Sequence, residues 1–203
     1  TFQIYFDFSG YIDMATGIAL LFNIRLPVNF NSPYKATSII SFWQKWHITL
    51  ANFLTNYIYF PWVKSLKKVN FLNIMIVIFL VFVIAGIWHG PSWLYVIFGS
   101  LHGLGLIINH IYRKLFQYEM NKYIACFLTF NYVNLTFIFF RSENLETSIN
   151  IIKGMLGLNG FDLPIYSDDK MYIILVLLIS ILITFCFKNT NYLIEKFNPS
   201  NVK

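Results

Sequence analysis

The chain has 203 residues, of which 57% are hydrophobic, 20% aromatic (22 Phe, 13 Tyr, 5 Trp) and 12% charged, about half the roughly 25% of a soluble domain. Its mean hydropathy is +0.60, and a soluble fold of this size has too little interior to hide so much apolar surface. That argues against a cytosolic enzyme, a disordered chain or a DNA-binding module and leaves a polytopic membrane protein. The formal net charge of +6 then reads as basic loops facing anionic lipid, with no nucleic-acid partner.

The first apolar stretch, Thr1–Phe22, predicts a span that carries Asp7 and Asp13. It starts without Met or a signal-peptide pattern, the pattern expected of a chain cut from a longer protein. The segment Asn23–Asn70 follows, with Arg25, Lys35, Lys45, Lys64, Lys67 and Lys68 and no acid. Such a segment belongs on the cytoplasmic side. Within it Ile39, Phe42, Trp46, Leu50, Phe53 and Tyr57 recur every three or four residues, predicting an amphipathic helix N-capped by Ser38 and ended by Pro61. It is too polar to span and would lie on the cytoplasmic face or pack into the bundle.

Phe71–Trp88, Tyr123–Phe140 and Met171–Phe187 hold no Asp, Glu, Lys or Arg. Each would reach about 27 Å, against a hydrocarbon core of roughly 30 Å. Trp93–Tyr112 is a further span, interrupted by His102, Asn109 and His110. Helices are favoured because the membrane offers backbone groups no water, and these runs do not alternate as barrel strands do. The basic stretch Arg113–Lys122 reads as inside, the acid-rich Arg141–Lys170 as outside, and the tail after Phe187 as inside. The expected fold is an all-α polytopic transmembrane helical bundle of about five spans plus a cytoplasmic amphipathic helix, forming one membrane domain over 1–203. Cys126 and Cys186 sit in apolar runs, where buried inert thiols are expected.

Ionisable groups inside a bilayer cost several kcal/mol unless paired or hydrated, so they are functional candidates. His89 ends a long apolar run in Gly86-Ile87-Trp88-His89-Gly90-Pro91. Gly86 and Gly90, then Gly99 and Gly103, have the spacing that lets helices approach closely. The alternative for His89 is a structural hydrogen bond at a helix end. His47 lies in Phe42-Trp43-Gln44-Lys45-Trp46-His47, where an interfacial aromatic belt is the alternative. His102 and His110 read as interhelical hydrogen-bonders, and Asp7 as a partner for a nearby Tyr or a helix cap. No two His fall at i, i+4 spacing and no Cys or carboxylate joins them locally, so no metal site is expected. A His acting as general base on a hydroxyl is the simplest chemistry available.

Several segments together resemble the membrane-bound O-acyltransferase family, in particular its bacterial branch of alginate O-acetyltransferase-like and D-alanyl transfer protein-like members. They are Tyr5-Phe6-Asp7-Phe8-Ser9-Gly10-Tyr11-Ile12-Asp13-Met14-Ala15, Arg25-Leu26-Pro27-Val28-Asn29-Phe30-Asn31-Ser32-Pro33-Tyr34, Phe42-Trp43-Gln44-Lys45-Trp46-His47-Ile48-Thr49-Leu50, Tyr57-Ile58-Tyr59-Phe60-Pro61, Ile87-Trp88-His89-Gly90, Leu101-His102-Gly103 and Phe139-Phe140-Arg141-Ser142-Glu143. They occur in family order. After the Tyr-x-Pro segment the family's glycines are replaced by Trp62-Val63-Lys64-Ser65-Leu66-Lys67-Lys68.

The resemblance implies an O-acyltransferase, the C-terminal portion of a multi-pass protein of the bacterial inner membrane without its N-terminal spans, and leaves open whether this portion is active alone. It makes His89 catalytic and His47 a second functional position. It also implies an acetyl-CoA or acyl-carrier thioester as donor, an extracytoplasmic polysaccharide acceptor and an extracytoplasmic acetyl-transfer partner protein. D-alanyl or another acyl transfer within the family, and a proton-relaying membrane transporter, are the alternative functions.

Overall fold

The computed structural model describes residues 1–116, 118, 120–160 and 168–196. Residues 161–167 of the acid-rich outer stretch and 197–203 of the tail lie outside the described residues. Within them the chain is helical, with no strand. Three helices are long and apolar enough to cross a membrane: α5 (Phe71–Trp88), α6 (Trp93–Leu115) and α7 (Lys122–Arg141). The first span forms α1 (Phe2–Leu21), a 20-residue helix carrying both aspartates. The last lies in α9 (Asp168–Cys186), whose apolar stretch is Met171–Cys186. Two further helices, α8 (Leu145–Met155) and α10 (Thr190–Lys196), flank α9 in the chain. Leu175, Leu178 and Leu182 of α9 and Tyr11, Met14 and Ile18 of α1 are exposed, as expected where lipid or another helix is the neighbour.

Each of α5, α6 and α7 begins at a side-chain cap that satisfies an orphan N–H. Asn70 accepts from the Asn73 amide at 2.8 Å, Ser92 from the Leu94 amide at 3.2 Å and Asn121 from the Tyr123 amide at 2.9 Å. The α6 helix ends on Arg113 and Lys114, which complement its carbonyl end. Lys114 also lies over the Phe71 ring, 4.1 Å from its centroid. This brings the start of α5 and the end of α6 to one basic end of the hairpin.

The glycine spacing does what it predicts. A Cβ on Gly86 would run into the Tyr95 carbonyl oxygen, and one on Gly99 into the Phe82 carbonyl oxygen. On Gly103 it would sit 3.1 Å from the Phe79 Cα. The α5 and α6 backbones are therefore in contact. Gly90, in the turn between them, has φ +145°, a conformation closed to L side chains. The α7 helix joins by polar contacts: the Tyr132 hydroxyl donates to the Leu101 carbonyl at 2.5 Å, close against Gly105.

The amphipathic segment differs from its expected form. Ser38 is the N-cap, accepting from the Ser41 amide at 3.0 Å. The helix then breaks into α2 (Ile39–Trp43), α3 (Ile48–Phe53), a π turn (Leu54–Tyr59) and α4 (Phe60–Ser65). The break falls at His47, whose backbone is left-handed (φ 43°, ψ 53°). Pro61 does not end the helix. It directly follows the π turn, in the first α turn of α4, and the helical backbone runs through it. Nor is the segment an outer coat. Phe42, Trp43 and Trp46 are buried in an aromatic core with Phe30, Tyr34, Phe98 and Phe137, and Leu54 packs on Val77, Val81 and Ala85 of α5. The cysteines also depart from expectation: Cys186 is exposed, and half-buried Cys126 reaches the Tyr34 carbonyl at 3.4 Å.

Gly86→Ala and Gly99→Ala should each destabilise the detergent-solubilised protein, by about 1–3 kcal/mol for an overpacked contact. Gly10 of α1 has nothing within 4 Å of a Cβ, so Gly10→Ala should hold or raise the melting temperature, since alanine favours helix by about 1 kcal/mol. Equal melting temperatures for the three variants would contradict the α5–α6 backbone contact.

Candidate active site

The break at His47 is held by an irregular stretch that precedes it. The Asn31 amide donates to the Lys45 carbonyl at 2.9 Å, and the Ile48 amide to the Asn29 carbonyl at 3.0 Å. Between these two backbone bonds the Asn29 side chain reaches the kink. Its Oδ1 lies 3.2 Å from the Thr49 amide, 2.6 Å from the Thr49 hydroxyl and 3.2 Å from the His47 Nδ1. A backbone N–H can only donate, so the Asn29 atom is the oxygen, and His47 must carry its proton on Nδ1. In the neutral ring Nε2 is then the lone-pair nitrogen. Burial, and secondarily the neighbouring His89, push the His47 pKa below the ordinary histidine value, which favours the neutral ring.

His89 follows α5 at its C-terminal end and leads into the Gly90-Pro91-Ser92 turn. Rings surround its half-buried imidazole: Phe140 edge-on at 5.1 Å, Phe98 at 5.9 Å and Tyr95 at 6.1 Å. Phe8 of α1 stands edge-on to His47 at 4.9 Å. The side-chain hydrogen bonds to histidine rings among the described residues belong to His47 and His102. Far apart in sequence, His47 and His89 line the same cavity of about 390 Å³, with Asp7, Trp43, Trp46 and Leu50 among its other walls.

The sequence therefore named two residues that the fold brings together. It read Asp7 as a helix cap or tyrosine partner, whereas Asp7 is among the residues lining the cavity of both imidazoles. Asp13 accepts from the Thr190 hydroxyl at 2.9 Å, away from that cavity. His102 is fully buried and joins α6 to α7 through Thr136, at 2.9 Å, as an interhelical bonder should. His110 makes no such bond among the described residues and lines a different cavity. The polar link in its turn is Asn109, whose Oδ1 accepts from the Ile39 amide at 2.6 Å at the start of α2. Asn29 was missed as a site residue, although its stretch carried part of the family resemblance. Among the described residues no three His, Cys, Asp or Glu gather as a metal site would require. An apolar cavity with two imidazoles and one carboxylate suits proton transfer to and from an organic substrate.

Residues 1–148 match the family model of the membrane-bound O-acyltransferases. A peptidoglycan O-acetyltransferase of Helicobacter pylori is 43% identical over an alignment covering 96% of this chain and 41% of that protein. A probable alginate O-acetylase of Pseudomonas aeruginosa is 33% identical over 80% of the chain and 31% of its own length. A teichoic acid D-alanyltransferase of Streptococcus thermophilus is 29% identical over 68% and 39%. The chain belongs to the membrane-bound O-acyltransferase family, and it is a multi-pass helical membrane protein. It spans about two fifths or less of the length of these relatives.

Asn29→Ala should free the His47 ring and lower acyl transfer by the intact membrane protein on the order of 10²-fold, the scale of an ångström-sized misplacement. Asn29→Asp keeps an acceptor and should retain more activity than the alanine variant. Wild-type rates in well-folded Asn29→Ala would remove Asn29 from the site.

Proposed function

We propose that this chain forms the catalytic portion of a bacterial inner-membrane O-acetyltransferase that modifies a cell-wall or related extracytoplasmic glycan. The observation that carries the reading is the meeting of His47 and His89 in one largely apolar cavity. The acetyl group and the wall glycan follow the 43% identity to the Helicobacter pylori peptidoglycan O-acetyltransferase. The teichoic acid D-alanyltransferase, at 29%, supports D-alanyl transfer more weakly.

The donor is a cytoplasmic acyl thioester, acetyl-CoA or an acyl carrier. A lone-pair nitrogen of the His89 ring accepts the proton of the acceptor hydroxyl while that oxygen attacks the thioester carbonyl carbon. The C–S bond then breaks, and the departing thiolate takes the proton from the imidazolium. The new bond is an ester, and His89 ends neutral as it began. A positioned general base is worth roughly 10²- to 10⁴-fold. His47, fixed by Asn29, holds the donor or an ordered water. The acceptor hydroxyl is carried by an extracytoplasmic partner protein, and a glycan hydroxyl then attacks that ester and releases the partner's hydroxyl.

In this orientation Lys64, Lys67 and Lys68, which end the Asn23–Asn70 segment, and α10 face the cytoplasm, and α8 faces outward. On a background lacking Cys126 and Cys186, Ser65→Cys should resist an impermeant thiol reagent in intact cells and react after permeabilisation. Labelling of Ser65→Cys from outside would reverse the orientation.

His89→Gln keeps hydrogen bonding but cannot take a proton near neutrality. In the intact membrane protein it should fail in acetyl transfer as fully as His89→Ala, with expression and insertion unchanged. His110→Gln should retain activity. Near-normal glycan acetylation by His89→Gln would end the general-base role.

A further inference from the structure

His102 has none of its surface exposed, yet both ring nitrogens are bonded. The Trp43 Nε1–H donates to Nδ1 at 3.2 Å. An indole nitrogen can only donate, so Nδ1 holds the lone pair and Nε2 the proton of the neutral ring. Nε2 donates to the Thr136 hydroxyl at 2.9 Å, and that hydroxyl donates to the Val133 carbonyl at 2.8 Å. Three bonds thus run in one direction through α2, α6 and α7 with every member satisfied. The indole of Trp43 is further fixed edge-on by Phe82, at 4.8 Å and 70°, and by the His102 ring itself, at 5.0 Å and 84°.

Trp43 stands between two spaces. On one side is the cavity holding His47 and His89. On the other is a second cavity of about 550 Å³, bounded by α5, α6 and the broken amphipathic segment, with Ile40, Met75, Ile78 and Leu106 among its walls. Trp43 is the residue that lines both among the described residues. The second cavity is walled largely by aliphatic side chains, the surroundings a hydrocarbon chain seeks.

We propose that Trp43, held in place by His102, is the partition that limits the acyl group to a short one, and that the space behind it would take the alkyl chain of a longer acyl thioester. This rests on the acyl-transfer reading and adds a size limit to it. Trp43 is the specificity-determining wall, and His102 is a positioning residue that acts through it.

The test uses the intact membrane protein with acetyl, butyryl and octanoyl thioesters of one carrier, reading kcat/KM for each. The wild type should favour acetyl over octanoyl by tenfold or more, since single methylenes in a shaped pocket shift kcat/KM by about 10- to 200-fold. Trp43→Ala should raise the octanoyl-to-acetyl ratio at least tenfold. His102→Leu removes the acceptor and should move the ratio the same way, whereas His102→Asn, which can still accept from the indole, should keep it near wild type. Trp43→Leu carries the same expectation should the alanine variant fail to insert. Transfer by the wild type with no preference between acetyl and octanoyl would overturn the partition, as would a ratio unmoved in a folded Trp43 variant. Absence of transfer from every thioester by the wild type would instead overturn the acyltransferase reading.

Discussion

A single residue in the left-handed region, His47, fixes the geometry on which the site depends. Such a conformation costs on the order of 1–3 kcal/mol outside glycine, although histidine visits it more readily than most. It persists because three Asn29 hydrogen bonds and two flanking backbone bonds hold it. Without the kink, α2 and α3 would continue as one helix, and His47 would follow the phase of the stripe that begins at Ile39. With it, α2 buries Trp43 and the turn after it buries Trp46, while α3 departs along α5, and the imidazole is left at the corner, beside the cavity it shares with His89.

The membrane makes the same demand elsewhere: a polar group in the bundle must be satisfied by another part of the chain. His102 meets it with Trp43 and Thr136, Tyr132 with the Leu101 carbonyl, and Asn109 with the start of α2. Each bond joins elements distant in sequence, so polar satisfaction and tertiary specificity are the same event. The hydroxyl of Thr184, in α9, is the buried side-chain atom without a partner among the described residues.

The parts of this fold legible in the sequence were those set by local chemistry. Charge-free runs located the spans, Ser38 announced its cap, and glycine spacing announced the α5–α6 contact, because each depends on residues a few positions apart. The break at His47 carried no such mark. No glycine or proline stands there, and the apolar stripe runs on through it. Pro61 misled in the opposite direction, since the helix runs on through it where a π turn directly before it alters the hydrogen-bond repeat. His47 and His89 were named individually, but their common cavity exists only once α1, α2, α5 and α7 are assembled. Asn29 was invisible as a partner for the same reason: its bonds to His47 and Thr49 reach across a stretch with no periodicity to read.

The π turn at Leu54–Tyr59 leaves the strand of helix beside α5 with one residue more than the α repeat accommodates. Since each residue advances an α-helix by about 100°, that surplus offsets the angular phase of Phe60–Ser65 from that of Ile48–Phe53. The two halves of the segment therefore answer to different neighbours: the upper half is registered by the histidine corner, the lower half by the basic end of the hairpin. The surplus residue works as a vernier, letting the aromatic cluster and the lysine-bearing end each keep its own alignment along a single rod.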